Sequence, residues 1–105
     1  MSGPPRSSYD FDDWFRSLDD HDIVRVRSIF ALIEVEGFYA AGCADLGHGL
    51  WCFTDSLGRD YMRLYMLERD QGRMDALYGS ISRSERADAE EIRLVRLLRD
   101  WDRNS

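Results

Sequence analysis

At 105 residues the chain has room for one domain whose core needs no metal or disulfide staple, and its 44% hydrophobic and 32% charged residues are those of an ordinary globular protein. The formal charge is -6, and all 14 basic residues are Arg, which excludes lysine acid-base or Schiff-base chemistry. Residues 1–58 hold 4 Arg against 10 Asp and Glu, whereas 59–105 hold 10 against 10, so any RNA role has to rest on a local arginine patch rather than on overall charge.

Residues 1–9, with Pro4 and Pro5, read as a leader that contributes at most a short edge strand around Ser7 to Tyr9. It lacks the basic and apolar regions of a signal peptide, and no apolar run nears the roughly 20 residues of a membrane span. A cytoplasmic protein is expected, with Cys43 and Cys52 as reduced, space-filling thiols.

One domain, 10–105, follows. Phe11, Trp14, Phe15 and Leu18 fall on one face of a first helix, with Asp10 as its N-cap. Asp19 or Asp20 caps a second helix, in which Ile23, Val26, Ile29, Phe30 and Ile33 form an apolar stripe ending at Gly37. The two helices are expected to pair as an αα-hairpin. From Phe38 to Gly49 no period is sustained, which predicts a connecting loop.

Three strand-like runs come next: Leu50 to Thr54, Tyr61 to Glu68 and Met74 to Ile81, joined by turn-rich segments. In the second run Met62, Leu64 and Met66 alternate with Tyr61, Arg63 and Tyr65, so one face is expected to pack on helices and the other to be a solvent-facing working surface. Asp88 and Glu91 form a cap-and-acid pair ahead of Leu94, Val95, Leu98 and Trp101, which predicts a C-terminal helix. The fold class is α+β: a small antiparallel sheet of three to four strands, packed by the helical hairpin and the C-terminal helix.

His48 lies five residues after Cys43 and four before Cys52. These spacings do not match the paired ligands of structural zinc, even with His21 as a fourth ligand, so no metal is expected. The same residues could form a Cys-His nucleophile pair, but this needs a thiol activated by a nearby positive group, which spacing does not supply. The carboxylates Asp12, Asp13, Asp19 and Asp20 are explained by capping and exposure. What is left is Tyr61, Arg63, Tyr65, Arg83 and Arg86, a mixture of cations and aromatics suited to single-stranded RNA, since Arg pairs with phosphate and Tyr stacks on a base. The bland alternative is a half-buried strand face.

Four collinear stretches resemble the RelE/HigB toxin superfamily and its phage-derived, HigB-like branch: Asp12-Asp13-Trp14-Phe15-Arg16-Ser17-Leu18, Leu46-Gly47-His48-Gly49-Leu50-Trp51, Asp60-Tyr61-Met62-Arg63-Leu64-Tyr65, and Leu77-Tyr78-Gly79 with Ser82-Arg83-Ser84 and Glu91-Ile92. They span roughly residues 10 to 101. The resemblance implies a RelE-like domain, a cognate antitoxin as partner and, in active members, cleavage of mRNA on the ribosome. Carried over by position, it implies that Arg63 stabilises the cleaved phosphate, Arg83 holds the RNA backbone and Tyr61 or Tyr65 stacks on a base. The expected catalytic residues are Arg63, Arg83 and Tyr65 and the expected RNA contacts Tyr61, Arg59 and Arg86, with no cofactor and no membrane partner.

The pattern departs from the family at three points: Ser82-Arg83 stands in place of a Lys-Lys pair, Met62 in place of a Tyr before the strand arginine, and the domain is acidic. Two readings therefore stand. One is the toxin of a toxin-antitoxin pair, resembling ribosome-dependent mRNA endoribonucleases. The other is a non-catalytic protein-binding module of a phage or mobile element, whose acidic N-terminal half meets a basic partner.

Overall fold

The computed structural model describes residues 10–103; the expected leader lies outside them. Among the described residues three helices and four strands follow in the order α1 (Phe11–Arg16), α2 (Asp20–Glu36), β1 (Ala44–Gly47), β2 (Leu50–Leu57), β3 (Asp60–Glu68), β4 (Met74–Ser82) and α3 (Ala89–Arg103), with a 3-10 turn, Asp70–Gly72, between β3 and β4. The strands form one antiparallel sheet in sequence order. The α+β class is as expected from the sequence. Among the described residues no helix is long and apolar enough to cross a membrane.

The helix starts follow capping chemistry. The Asp10 carboxylate accepts from the Asp12 amide at 2.8 Å, Asp19 from Asp22 at 2.9 Å, and Asp88 from Glu91 at 2.8 Å, each satisfying a donor that the first helical turn leaves orphaned. Gly37, at φ 88, ends α2 in a conformation that favours glycine.

The segment from Phe38 to Gly49, expected as a loop, contains a fourth strand. Gly47 pairs with Leu50, leaving a two-residue turn of His48 and Gly49 with φ of 54 and 80. Two consecutive positive φ values are the hairpin turn whose twist matches the flanking strands. Its usual signal is Asn-Gly or Asp-Gly, and His48 conceals it. The other hairpins are closer to expectation, although β2 runs three residues further than Thr54 and turns at Gly58 and Arg59.

The sheet is covered on both faces. On one, Val26, Ile29 and Ile33 of α2 pack with Met62, Leu64 and Met66 of β3, alongside Phe11, Trp14 and Phe15. On the other, Val95 of α3 packs with Leu50, Cys52, Tyr65 and Leu67. A bulge in β4 sets Tyr65 opposite Tyr78 and Met66 opposite Ala76, and the extra residue, Leu77, joins the second core together with Tyr78. The expected αα-hairpin is corrected in one respect: α1 leans on β4, with the Trp14 indole laid directly over Gly79.

Candidate functional site: a buried arginine and the groove beside it

Antiparallel pairing sets residues of β2, β3 and β4 in cross-strand rows. Thr54, Arg63 and Ser80 form one row, and Cys52, Tyr65 and Tyr78 the next. Alternation along β3 sends both rows to the face that α3 covers. The expectation of a solvent-facing working surface is therefore corrected: Arg63 is 4% exposed and Tyr65 1%. The physical reason is legible in β3 itself. Tyr-Met-Arg-Leu-Tyr-Met-Leu is a nearly continuous apolar run, the pattern of a strand buried on both faces rather than on one.

Glu91, on the second residue pair of α3, descends onto the guanidinium. Arg63 Nε donates to Glu91 Oε2 at 2.6 Å and Nη2 donates to Oε1 at 2.9 Å, a bidentate fork. Nη2 also donates to Ser82 Oγ at 3.0 Å, while Nη1 donates to the Ser84 carbonyl and, at 3.4 Å, to that of Glu85. An arginine has five N–H donors, and all five have acceptors within the chain. Tyr65 adds a further bond, its hydroxyl donating to Glu91 Oε2 at 2.5 Å.

Charge states follow from this packing. The hydrogen bonds to Glu91 hold the Arg63 guanidinium above its ordinary value, against the pull of burial. Burial alone would raise the Glu91 carboxyl, but the hydrogen bonds from Arg63 and Tyr65 hold it below the ordinary carboxylate range. Burial, then the bond to Glu91, push the Tyr65 phenol up, so it stays protonated and serves as a donor. The backbone amide of Glu91 meets the Asp88 cap as the sequence predicts, while its carboxylate turns toward the sheet.

Of the remaining sequence candidates, Arg86 lines the groove that opens beside this core, whereas Arg59, Tyr61 and Arg83 lie outside it. Arg83 is 81% exposed and sits 3.8 Å from Asp60. Arg59 lies exposed in the β2–β3 turn, Arg86 is exposed in the segment before α3, and Tyr61 is half-buried. Arg63 and Arg83 thus share no exposed surface. His48 occupies a turn, and among the described residues no group of His, Cys, Asp and Glu could hold a metal. Cys43 and Cys52 are free and buried; burial pushes the Cys43 thiol up to about 11 and raises that of Cys52, which makes both poor nucleophiles.

Beside the ion pair a groove of about 440 Å³ opens, walled by Ala44, Leu46, Cys52 and Thr54 on one side and by Glu85, Arg86, Ala87 and Ile92 on the other. Its existence depends on β1, the strand the sequence conceals, because Ala44 and Leu46 supply one wall. Arg63 and Tyr65 form its floor. A largely apolar cleft with a fixed polar floor suits an apolar side chain or peptide segment better than a phosphate. The chain matches no family model, no curated protein and no solved structure in comparisons with each.

Proposed function

We propose that this chain resembles RelE/HigB toxins in fold but acts as a protein-binding module and does not cut RNA. The observation that carries this reading is the complete use of the Arg63 guanidinium by Glu91, Ser82, Ser84 and Glu85. A cation stabilises a developing phosphorane only if it has donors aimed at the reacting phosphate; here they are aimed at the chain's own acceptors. The reaction also needs a base for the ribose hydroxyl, and Glu91, the carboxylate nearest to Arg63, is held in a salt bridge.

The docking site of this reading is the groove between β1–β2 and the segment before α3, receiving an apolar segment of a partner such as an antitoxin. The competing reading, ribosome-dependent cleavage, draws on the exposed cations Arg59, Arg83 and Arg86 and needs α3 to lift from the sheet.

Expression in a bacterial host separates the two. Wild-type chain is expected to leave growth and translation normal and to retain a stoichiometric protein partner, lost on Leu46→Arg. Growth arrest relieved by the paired change Arg83→Ala and Arg86→Ala would overturn the proposal, as would purification without any such partner. Arg63→Ala is the wrong probe, since it strips a buried ion pair and reports on folding instead.

A further inference from the structure

The face of α2 turned away from the sheet carries its own pattern. Val24 and Val35 are 61% and 80% exposed and Leu32 is 42% exposed, with Ser28 and Ala31 exposed between them. Positions 24, 28, 31 and 35 follow one another at steps of four, three and four, a single line along the helix. The ends of the line are bulky and apolar and its middle is small, so another helix can approach closely at the centre.

The flanks are charged in a way that specifies that helix. At 100° per residue Arg27 and Glu34 lie on one flank, and Arg25 and Glu36 on the other. Each flank carries a cation toward the helix N-terminus and an anion toward its C-terminus. Both pairs are centred between positions 30 and 31, within one residue of the centre of the apolar line.

We propose that this face is a homodimer interface in which α2 packs antiparallel against α2 of a second copy. A two-fold axis across the helices sets like flanks together in opposite directions. Arg27 then meets Glu34 of the second copy, and Arg25 meets its Glu36, while Val24 and Val35 close over each other at both ends. Parallel packing sets unlike flanks together, bringing Arg27 beside Arg25 and Glu34 beside Glu36, which repel. The charge pattern therefore selects the antiparallel arrangement. Arg25 also bonds Asp55 at 2.7 Å and shares its guanidinium between the two acceptors, and Arg27 lies over the Phe15 ring at 5.7 Å, a contact that leaves its N–H donors for Glu34 of the second copy; among the described residues neither Glu34 nor Glu36 has a salt bridge. Because α2 lies on the opposite side of the sheet from the groove, this inference does not rest on the proposed function.

One helix pair is a small interface, so association depends on concentration. Sedimentation of the full chain through the micromolar range is expected to move from its 12.3 kDa mass to twice that value. Val35→Glu, at an exposed position, is expected to hold the chain at the monomer mass with an unchanged circular-dichroism spectrum. Glu34→Arg is expected to weaken the dimer about tenfold, and Arg27→Glu added to it to restore the wild-type constant. A wild-type chain that stays monomeric overturns the inference, and so does a dimer indifferent to Val35→Glu or a double variant no tighter than Glu34→Arg alone.

Discussion

Arg63 and Glu91 form an ion pair whose partners are 4% and 13% exposed. Desolvating two charges costs several kcal/mol, offset here by the bidentate geometry and by the Ser82, Ser84 and Tyr65 bonds that satisfy the other donors and acceptors. The pair is therefore expected to be strongly coupled: Glu91→Gln leaves a buried cation without its counter-charge and should cost about 3–5 kcal/mol, whereas Arg63→Met combined with Glu91→Leu should cost far less than either single change. Urea unfolding followed by circular dichroism measures all of these. A double variant as unstable as Glu91→Gln would show that the charges contribute more than packing can replace. The residue types at this site were legible in the sequence; their assignment was not. Glu91 stands three residues after Asp88, and that spacing defines the cap. Spacing along one helix carries no information about which strand residue lies beneath it, so the partner of the carboxylate needed the tertiary structure.

At the scale of elements, the contact that fixes α1 is between an indole and a backbone. A Cβ placed on Gly79 would stand 2.2 Å from the Trp14 ring, a separation no side chain occupies without displacement, and the ring is rigid. Trp14 and Gly79 thus act as one unit across 65 residues of chain. Gly79→Ala is expected to destabilise by about 1–3 kcal/mol through overpacking; with Trp14→Leu already in place, the added cost of the alanine should shrink. Equal costs in both backgrounds, read from thermal melts, would place the strain elsewhere. The caps at Asp10 and Asp88, the second helix's cap to within Asp19 or Asp20, and the alternation in β3 are readable because they are local and follow fixed periods. β1 was missed because it is four residues long and turns at His48-Gly49, a dipeptide without the usual hairpin composition. The nearly continuous apolar run of β3 signals burial on both faces, but it does not say what covers the Tyr-Arg-Tyr side, because an amphipathic C-terminal helix does not announce which sheet face it will occupy. An alternating Tyr-Arg-Tyr face accommodates either solvent or a helix that supplies a carboxylate.

At the scale of the molecule, α3 is anchored at both ends by ion pairs of different character. Near its N-terminus stands the buried Arg63–Glu91 pair; near its C-terminus Arg69 bridges Asp75 at 2.6 Å and Asp102 at 2.8 Å on a surface open enough that solvent and salt weaken the attraction. The two ends should respond differently to acid. Glu91 is held below its ordinary 4.5, so the folded chain binds this proton less readily than the unfolded chain does. Its contribution to stability is fully present above 4.5 and is lost as pH falls through the lowered folded value. Acting the other way, acidification from neutrality toward the isoelectric point near 4.8 removes the self-repulsion of a chain with charge -6. Melting temperature is therefore expected to hold or rise slightly from neutral pH to about 4.8 and to fall below 4.5, and Glu91→Gln should flatten that acid limb while lowering the whole curve. An acid limb equally steep in Glu91→Gln would assign the linkage to other carboxylates and remove the Arg63–Glu91 pair as the anchor that keeps α3 over the groove floor.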